Sequence, residues 1–347
     1  MSAPPPGPHP PPDEGSSRDD TAPGCVLFDA AARELARQQP EEAAFRLLAL
    51  SDDPEWVHLR AALERGFVLA CRPGPGETAA SAADTALRLR NGLATVRWGQ
   101  HVGALAHLLL LTLLDAEGLG VDADPHLDGL RPDVLAERDG RRALIEARAV
   151  TGMGRRPWAR RAAGHPAHDG TPDADTAAHL RRVLGDVVLD KAHSYRELVT
   201  ARALPYVVAL YADTDPSLAP LLRDVAFGPA TERRRRDDRW GQAPDGGLLA
   251  ARRDELACVS ALAVFGRRDD DDGVLRLTGE LLCNPFAERP LPAALRPACW
   301  RVLAAQPDPH PDADARPAPD TARPPDAHRP RPARMAWLGP PPPPLEP

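Results

Sequence analysis

The sequence predicts an α/β fold in which helices pack against a mixed β-sheet. An Asp-Gly dipeptide, Asp139-Gly140, separates the strand-like segments "RPDVLAE" and "RALIEARAV", and this dipeptide favours the type I′ turn of a β-hairpin. Farther along, the apolar run "PYVVALYAD" is typical of a strand that is buried on both faces. Helical segments precede the hairpin and follow it. The resulting order of helix, strand, strand, helix and strand favours a sandwich around one sheet.

The segments before the hairpin are predicted to be helical. Residues 26–71 predict two or three short helices, with Pro40 and Pro54 at their boundaries, because proline breaks a helix or begins one. The segment "CRPGPGETAASAAD" predicts a linker. A long buried helix is then expected over residues 94–116, closed by the glycines of "EGLG", since glycine commonly ends a helix.

After the hairpin, a polar loop over residues 151–173 leads into a predicted helix over 174–203, which precedes the "PYVVALYAD" strand. The segments "ACVSALAVF" and "GVLRLTGELLC" predict two further strands, and "NPF" predicts a turn, because apolar runs bounded by Asn, Pro and Gly are strand signals.

Both ends of the chain are rich in proline and polar residues, and the chain has 41 prolines in 347 residues. Such segments bury too little apolar surface to offset the entropy of ordering, so both are predicted to be disordered tails. The run of prolines at 340–344 could bind a protein partner as a polyproline ligand, and a solvated tail is the alternative.

The predicted segments are a tail over 1–24, a helical region with a linker over 25–92, a core over 93–230, a C-terminal β extension over 231–303 and a tail over 304–347.

The composition argues against several classes of protein. The five cysteines are scattered without a CxxC motif, so neither a zinc cluster nor a disulfide framework is expected. No secretory signal is visible, and the longest apolar stretch, "ALAHLLLLTLL", is shorter than the roughly 20 residues of a membrane span. We therefore expect a cytoplasmic protein that does not contact a membrane. A nucleotide-binding protein is not supported either, because GxxxxGK[ST] is absent.

The predicted hairpin places two carboxylates opposite each other. With Asp139-Gly140 at the turn, Asp133 lies across from Glu146, and like charges that are directly opposed on paired strands destabilise them. A divalent cation between the two side chains would remove this repulsion, and Mg²⁺ is commonly held by one or two carboxylates together with phosphate and water. A different register, with Asp133 merely facing solvent, is the alternative.

The charge distribution bears on nucleic-acid binding. The net charge of −7 does not favour a nucleic-acid partner, but residues 131–161 contain nine arginines and four acids. A basic segment of this kind can follow a phosphate backbone, and a solvated loop is the alternative for its second half. The candidate backbone contacts are Arg155, Arg156, Arg160 and Arg161.

The residues of the hairpin resemble the motif of the PD-(D/E)XK nuclease superfamily, with Pro132-Asp133 as its first half and Glu146-Ala147-Arg148 as its second. The resemblance covers roughly residues 95–213 and includes the order of helices and strands. It implies a restriction-endonuclease-like core (helix-strand-strand-helix-strand, mixed central sheet) that hydrolyses a phosphodiester of DNA rather than RNA. It also implies that Asp133 and Glu146 hold one or two Mg²⁺ or Mn²⁺ ions.

Three positions depart from the usual motif of this superfamily. Arg148 stands where the family usually has lysine, and a guanidinium keeps the charge but does not give up its proton. Lys191, the only lysine of the chain, and Tyr195 stand where the RecB-type exonuclease branch has Gln-x-x-x-Tyr. His107 stands where many members carry a glutamate on the first helix, and a histidine of the apolar core is the alternative.

The resemblance implies that Arg148 or Lys191 supplies the catalytic cation, with Tyr195 beside Lys191. The rival to an active nuclease is a catalytically degenerate nuclease fold that serves as a scaffold or as a binding module for nucleic acid or protein. The substitutions at His107 and Arg148 favour this rival, whereas Asp133, Glu146 and Lys191 favour an enzyme.

Overall fold

The structure is a computed structural model, and it describes residues 26–41, 43–74, 77–95, 97–149, 174–212, 218–228, 247–269 and 275–304. The predicted tails, apart from Ala304, lie outside the described residues, and so does the predicted loop over 151–173. The helices are α1 (Ala30–Arg37), α2 (Ala44–Leu50), α3 (Pro54–Ala70), α4 (Ala79–Ala94), α5 (Trp98–Ala116), α6 (Ala174–Arg202), α7 (Leu218–Phe227), α8 (Leu248–Ala251) and α9 (Arg253–Leu256). The strands are β1 (Gly120–Ala123), β2 (Val134–Arg138), β3 (Arg141–Ala149), β4 (Tyr206–Tyr211), β5 (Ala261–Asp269), β6 (Leu275–Cys283) and β7 (Trp300–Ala304).

The described strands form one mixed sheet in the order β1-β2-β3-β4-β5-β6-β7. Strands β1, β2 and β3 pair antiparallel, β3-β4 and β4-β5 pair parallel, β5-β6 pairs antiparallel and β6-β7 pairs parallel. The α/β prediction with a mixed sheet is therefore confirmed. The C-terminal strands that were predicted as an extension continue the same sheet beside β4.

Helices cover both faces of this sheet. Helices α1 to α5 share one apolar core with the face of β3 that carries Ala143, Ile145 and Ala147. Helices α6, α7 and α8 share a second core with the opposite face, which carries Leu144. Strand β4 is buried along its whole length, because each of its faces is covered by one of these layers. The continuous apolar run of this strand follows from that position.

Helix α5 is apolar around most of its circumference, because α3 and α4 pack on it from one side and the sheet from the other. Its end has the hydrogen bonds of a Schellman motif, in which Gly118 N–H donates to Asp115 and Leu119 N–H donates to Leu114. Gly118 has a φ of 75°, a left-handed conformation that glycine adopts without steric cost. The prediction that glycine closes this helix is confirmed. None of the described helices combines the length and the apolar character that crossing a membrane requires.

The structure differs from the predictions in the segment before α5 and at several short elements. The predicted helix over 94–116 begins at Trp98, and the predicted linker already contains the start of α4, whose N-terminus is capped by the Thr78 side chain. The edge strands β1 and β7 and the helices α7, α8 and α9 were not predicted. Each of these elements is short, so its apolar periodicity extends over too few residues to be recognised.

Two glycines on neighbouring helices test how closely α3 and α5 approach each other. A Cβ at Gly66 would overlap the carbonyl oxygen of Leu108, whereas a Cβ at Gly103 would meet nothing within 4 Å. We expect Gly66→Ala to lower the free energy of unfolding by about 1–3 kcal/mol through overpacking. Gly103→Ala is the matched control and should raise it by about 1 kcal/mol, because alanine favours a helix. Urea unfolding measures both, and equal effects of the two changes would contradict the close packing.

Candidate metal centre

The β2-β3 hairpin positions two carboxylates at its open end. Its turn has Asp139 at a φ of 54° and Gly140 at 71°, the two left-handed residues of a type I′ turn. The register pairs Val134 with Ile145 and Leu135 with Leu144, which confirms the predicted register. Asp133 immediately precedes β2 and therefore lies opposite Glu146.

Asp133 and Glu146 are linked through each other's backbone. The backbone N–H of Asp133 donates to Glu146 Oε2 at 3.3 Å, and the N–H of Ala147 donates to Asp133 Oδ2 at 2.8 Å. Hydrogen bonds to the charged form of a carboxylate stabilise it. These bonds partly offset the repulsion between the two acids and hold one oxygen of each side chain in place.

Glu146 is buried, and two cations contact its other oxygen. Lys191 Nζ lies 2.9 Å and a guanidinium nitrogen of Arg148 lies 3.1 Å from Glu146 Oε1. The Lys191 side chain is buried, whereas that of Arg148 is 45% exposed. The two residues that were predicted as alternative catalytic cations therefore meet at the same carboxylate oxygen, and Arg148 is the more exposed of the two.

Tyr195 lies one helical turn after Lys191 and packs on the same side of α6. Its hydroxyl donates to the carbonyl of Arg131 at 3.1 Å, and Lys191 Nζ lies 5.7 Å from the centre of its ring. The Tyr206 hydroxyl of β4 is 3.5 Å from the carbonyl of Lys191. These contacts hold the helix and the ammonium group against the hairpin. Burial, with the carboxylate of Glu146 nearby, raises the pKa of Tyr195, so the hydroxyl stays protonated and can donate.

His107 reaches the hairpin from α5, on the opposite side of the sheet from α6. It is buried, and its Nδ1 lies 3.7 Å from Asp133 Oδ1 and 4.0 Å from Asp124 Oδ1. Its Nε2 is also buried and has no hydrogen-bond partner among the described atoms. Burial lowers the pKa of His107, although the Asp124 carboxylate opposes this shift. A neutral imidazole is the form that binds a metal.

Asp124 is a site residue that sequence reasoning missed. It directly follows β1 with a φ of 52°, is buried, and donates its N–H to the carbonyl of Asp133 at 2.9 Å. In the sequence it belongs to the acidic segment "DADPHLDG", which is typical of a solvated turn. Only its place before Pro125, which disfavours helix for the preceding residue, sets it apart from its neighbours.

His107, Asp124 and Asp133 have the spacing and the donors of a metal site. Each offers one ligand atom, and these atoms lie within 4.8 Å of one another. The separations from His107 Nδ1, 3.7 and 4.0 Å, are too long for hydrogen bonds. They do not exceed the combined length of two metal-ligand bonds of about 2.0–2.2 Å each, so one cation could contact both atoms of either pair. One imidazole and two carboxylates suit a divalent metal such as Mn²⁺.

The predicted site residues thus fall into two adjoining groups. Asp133 belongs to the group that could hold a metal, and Glu146 belongs to an ion-paired group with Lys191 and Arg148. Asp133 Oδ1 faces His107, whereas Asp133 Oδ2 and both oxygens of Glu146 have partners in the protein. The arginines that were predicted to contact a nucleic-acid backbone lie outside the described residues: Arg155, Arg156, Arg160 and Arg161.

Desolvation favours the protonated forms of Asp133 and Glu146 when no metal is bound. Burial raises the pKa of Asp133 to about 6, and the Arg148 guanidinium acts in the opposite direction. Burial and the nearby Asp133 carboxylate raise the pKa of Glu146 to about 8. A metal would compete with these protons, because a ligating carboxylate must be deprotonated.

The raised pKa of Asp133 makes the stability of the metal-free protein depend on pH. A carboxyl group whose pKa is higher in the folded than in the unfolded chain stabilises the fold below its unfolded value, about 3.9. That contribution is lost as the pH rises through about 6. In EDTA we expect the melting temperature of the wild type to fall between pH 4 and pH 7 more than that of Asp133→Asn.

Asp139→Asn is the control for this measurement, because it removes the same charge from an exposed residue of the hairpin turn and asparagine suits a type I′ turn. It should keep the pH dependence of the wild type. A pH dependence that is unchanged in Asp133→Asn would show that this carboxyl group is not desolvated.

Comparison with known proteins assigns no family to this arrangement. No protein-family model matches the chain, and no curated protein and no solved structure matches it either. The resemblance to PD-(D/E)XK nucleases therefore stays a prediction from the sequence. The geometry by itself supports an α/β protein with a mixed sheet and a buried His-Asp-Asp group that could hold a metal ion.

Proposed function

We propose that this chain is a metal-dependent nuclease that hydrolyses a phosphodiester of DNA. The observation that carries the proposal is the placement of a potential metal site, His107, Asp124 and Asp133, directly beside the buried Glu146–Lys191 ion pair. Hydrolysis of a phosphodiester needs an activated water and compensation of the negative charge that builds up on the phosphate. The two adjoining groups could provide both.

The order of elements also supports the proposal. A helix, α5, precedes the hairpin, and a second helix, α6, leads from the hairpin into the buried parallel strand β4. This is the order that the resemblance implies, with β1 as an additional edge strand. The motif residues Asp133 and Glu146 lie at the open end of the hairpin, where the two helical layers bring His107 and Lys191 close to them.

A bound divalent cation would lower the pKa of water and stabilise charge on the phosphate. His107, Asp124 and Asp133 would hold it. The Lys191 ammonium, fixed by Glu146, would orient the attacking water and offset negative charge in the transition state. The half-exposed Arg148 would bind a phosphate oxygen of the substrate. The water oxygen would bond to phosphorus and lose a proton to solvent, while the P–O bond to the leaving sugar oxygen would break and that oxygen would take up a proton from solvent.

The imidazole in the donor set favours Mn²⁺ over Mg²⁺, because Mg²⁺ prefers oxygen ligands and retains its water, whereas imidazole suits transition metals. We expect MnCl₂ to raise the melting temperature of the wild type more than the same concentration of MgCl₂, as binding to the native state requires. Asp133→Asn should abolish the shift, and Asp139→Asn should retain it. No shift with millimolar concentrations of either metal would favour the scaffold.

The ion pair on α6 can be tested by changing each of its cations. Lys191→Ala and Lys191→Met should lower kcat on a DNA substrate by about 10²–10³, the usual cost of losing one oriented electrostatic contact. Arg148→Ala should mainly raise KM, because it removes a phosphate contact, and Arg148→Lys should be tolerated. Arg202→Ala removes a cation from the exposed end of the same helix, where it pairs with Asp128, and should leave kcat unchanged.

Two outcomes of this assay would count against the proposal. If Lys191→Ala cuts as fast as the wild type while Arg148→Ala is inactive, the catalytic cation is Arg148. If the wild type cuts neither DNA nor RNA with Mn²⁺ or Mg²⁺, the degenerate fold that serves as a scaffold or binding module is the better account. One observation favours that account. Lys191 and Arg148 already form ion pairs with Glu146, so neither cation is free to bind a substrate phosphate without leaving it.

A further inference from the structure

The two oxygens of the Asp124 carboxylate have different surroundings. Oδ1 faces His107, and Oδ2 accepts a hydrogen bond from the Thr85 hydroxyl at 3.3 Å and contacts the guanidinium of Arg88. The Asp124 side chain is only 3% exposed. Oδ2 is thus held by helix α4, and Oδ1 is directed towards His107, the neighbouring potential metal ligand.

Both partners of Asp124 come from α4, which belongs to the N-terminal helices. Thr85 and Arg88 lie three residues apart, so their side chains share one face of this helix. The Thr85 side chain is buried, whereas Arg88 is 51% exposed. Helix α4 also packs on α5, which carries His107. The same packing therefore places the partners of Asp124 next to the helix that supplies the histidine.

The backbone at Asp124 does not by itself set the direction of the carboxylate. Asp124 has a φ of 52° and lies between an edge strand and a turn, and its N–H bond to Asp133 fixes only the main chain. Rotation of the side chain is limited by Thr85 and Arg88. Because a buried carboxylate without partners is costly, these two contacts also offset the cost of burying the Asp124 side chain.

We propose that Thr85 and Arg88 are positioning residues that hold Asp124 as a ligand of the metal, so that the N-terminal helices complete the metal centre. The inference rests on the proposed function, since it requires that the site binds a metal. Residues that orient metal ligands from behind commonly contribute about 10–100-fold to metal affinity. The opposite expectation is that Arg88 competes with the metal for the Asp124 carboxylate. In that case, removing the Arg88 side chain would strengthen metal binding.

Binding of Mn²⁺ can be measured without any activity, because the electron paramagnetic resonance signal of free Mn²⁺ is lost when the ion binds protein. We expect Arg88→Ala and Thr85→Val to weaken Mn²⁺ binding by about 10–100-fold. Thr85→Ser retains the hydroxyl and should bind as the wild type does. Asp124→Asn should weaken binding at least as much as either change on α4.

Arg90→Ala is the matched control. Arg90 lies on the same helix and pairs with Asp29 at 2.6 Å, away from the site, so its removal should leave Mn²⁺ affinity unchanged although it breaks a comparable ion pair. A merely structural role of Arg88 would make both arginine variants less stable in EDTA and would leave both affinities unchanged. Circular dichroism and melting curves in EDTA identify any variant that does not fold, and Thr85→Val then tests the proposal independently of Arg88.

The failures of the two proposals are distinguishable. If the wild type binds no Mn²⁺, the metal centre and the positioning residues are both wrong. If the wild type binds Mn²⁺ and Asp124→Asn binds equally well, Asp124 is not a ligand. If Asp124→Asn binds weakly but Arg88→Ala and Thr85→Val bind as tightly as the wild type or more tightly, Asp124 is a ligand without this support, and the inference is overturned.

Discussion

The register of the β2-β3 hairpin is the constraint on which the arrangement of the candidate site depends. Side chains alternate between the two faces of a strand, so a slip by one residue would turn Glu146 towards the apolar layer that covers Ala143 and Ile145. The left-handed pair at the turn, Asp139-Gly140, prevents such a slip. With this register, Glu146 contacts Lys191 of α6, and Asp133, at the end of the hairpin, lies near His107 of α5.

The elements that could be predicted from the sequence are those whose signals are local. The turn dipeptide predicts the hairpin, and the uninterrupted apolar run predicts β4. Helix α6 could be predicted because it is long, with 29 residues. Lys191 and Tyr195 could be paired from their spacing alone, since residues four apart share a helix face. The adjacency of Asp133 and Glu146 followed from the same turn, without any information about the rest of the chain.

The sequence left the role of His107 open and did not point to the other members of the site, because both depend on packing between distant segments. His107 lies in an apolar helix, where a histidine gives the same pattern whether it binds a metal or packs in the core. Asp124 follows a four-residue strand whose pairing partner supplies its position. Thr85 and Arg88 lie in an alanine-rich segment next to a predicted linker. Only the contact between α4 and the end of β1 relates them to the site.

The pairing of three buried or partly buried carboxylates with three cations has a consequence for the joint binding of a metal and a polyanion. Asp124, Asp133 and Glu146 are accompanied by Arg88, Arg148 and Lys191, so three cations balance the three acids once all of these acids are deprotonated. A divalent cation would then leave an excess of positive charge at this end of the sheet. Metal and polyanion would thereby be thermodynamically linked, each increasing the affinity for the other by the same factor.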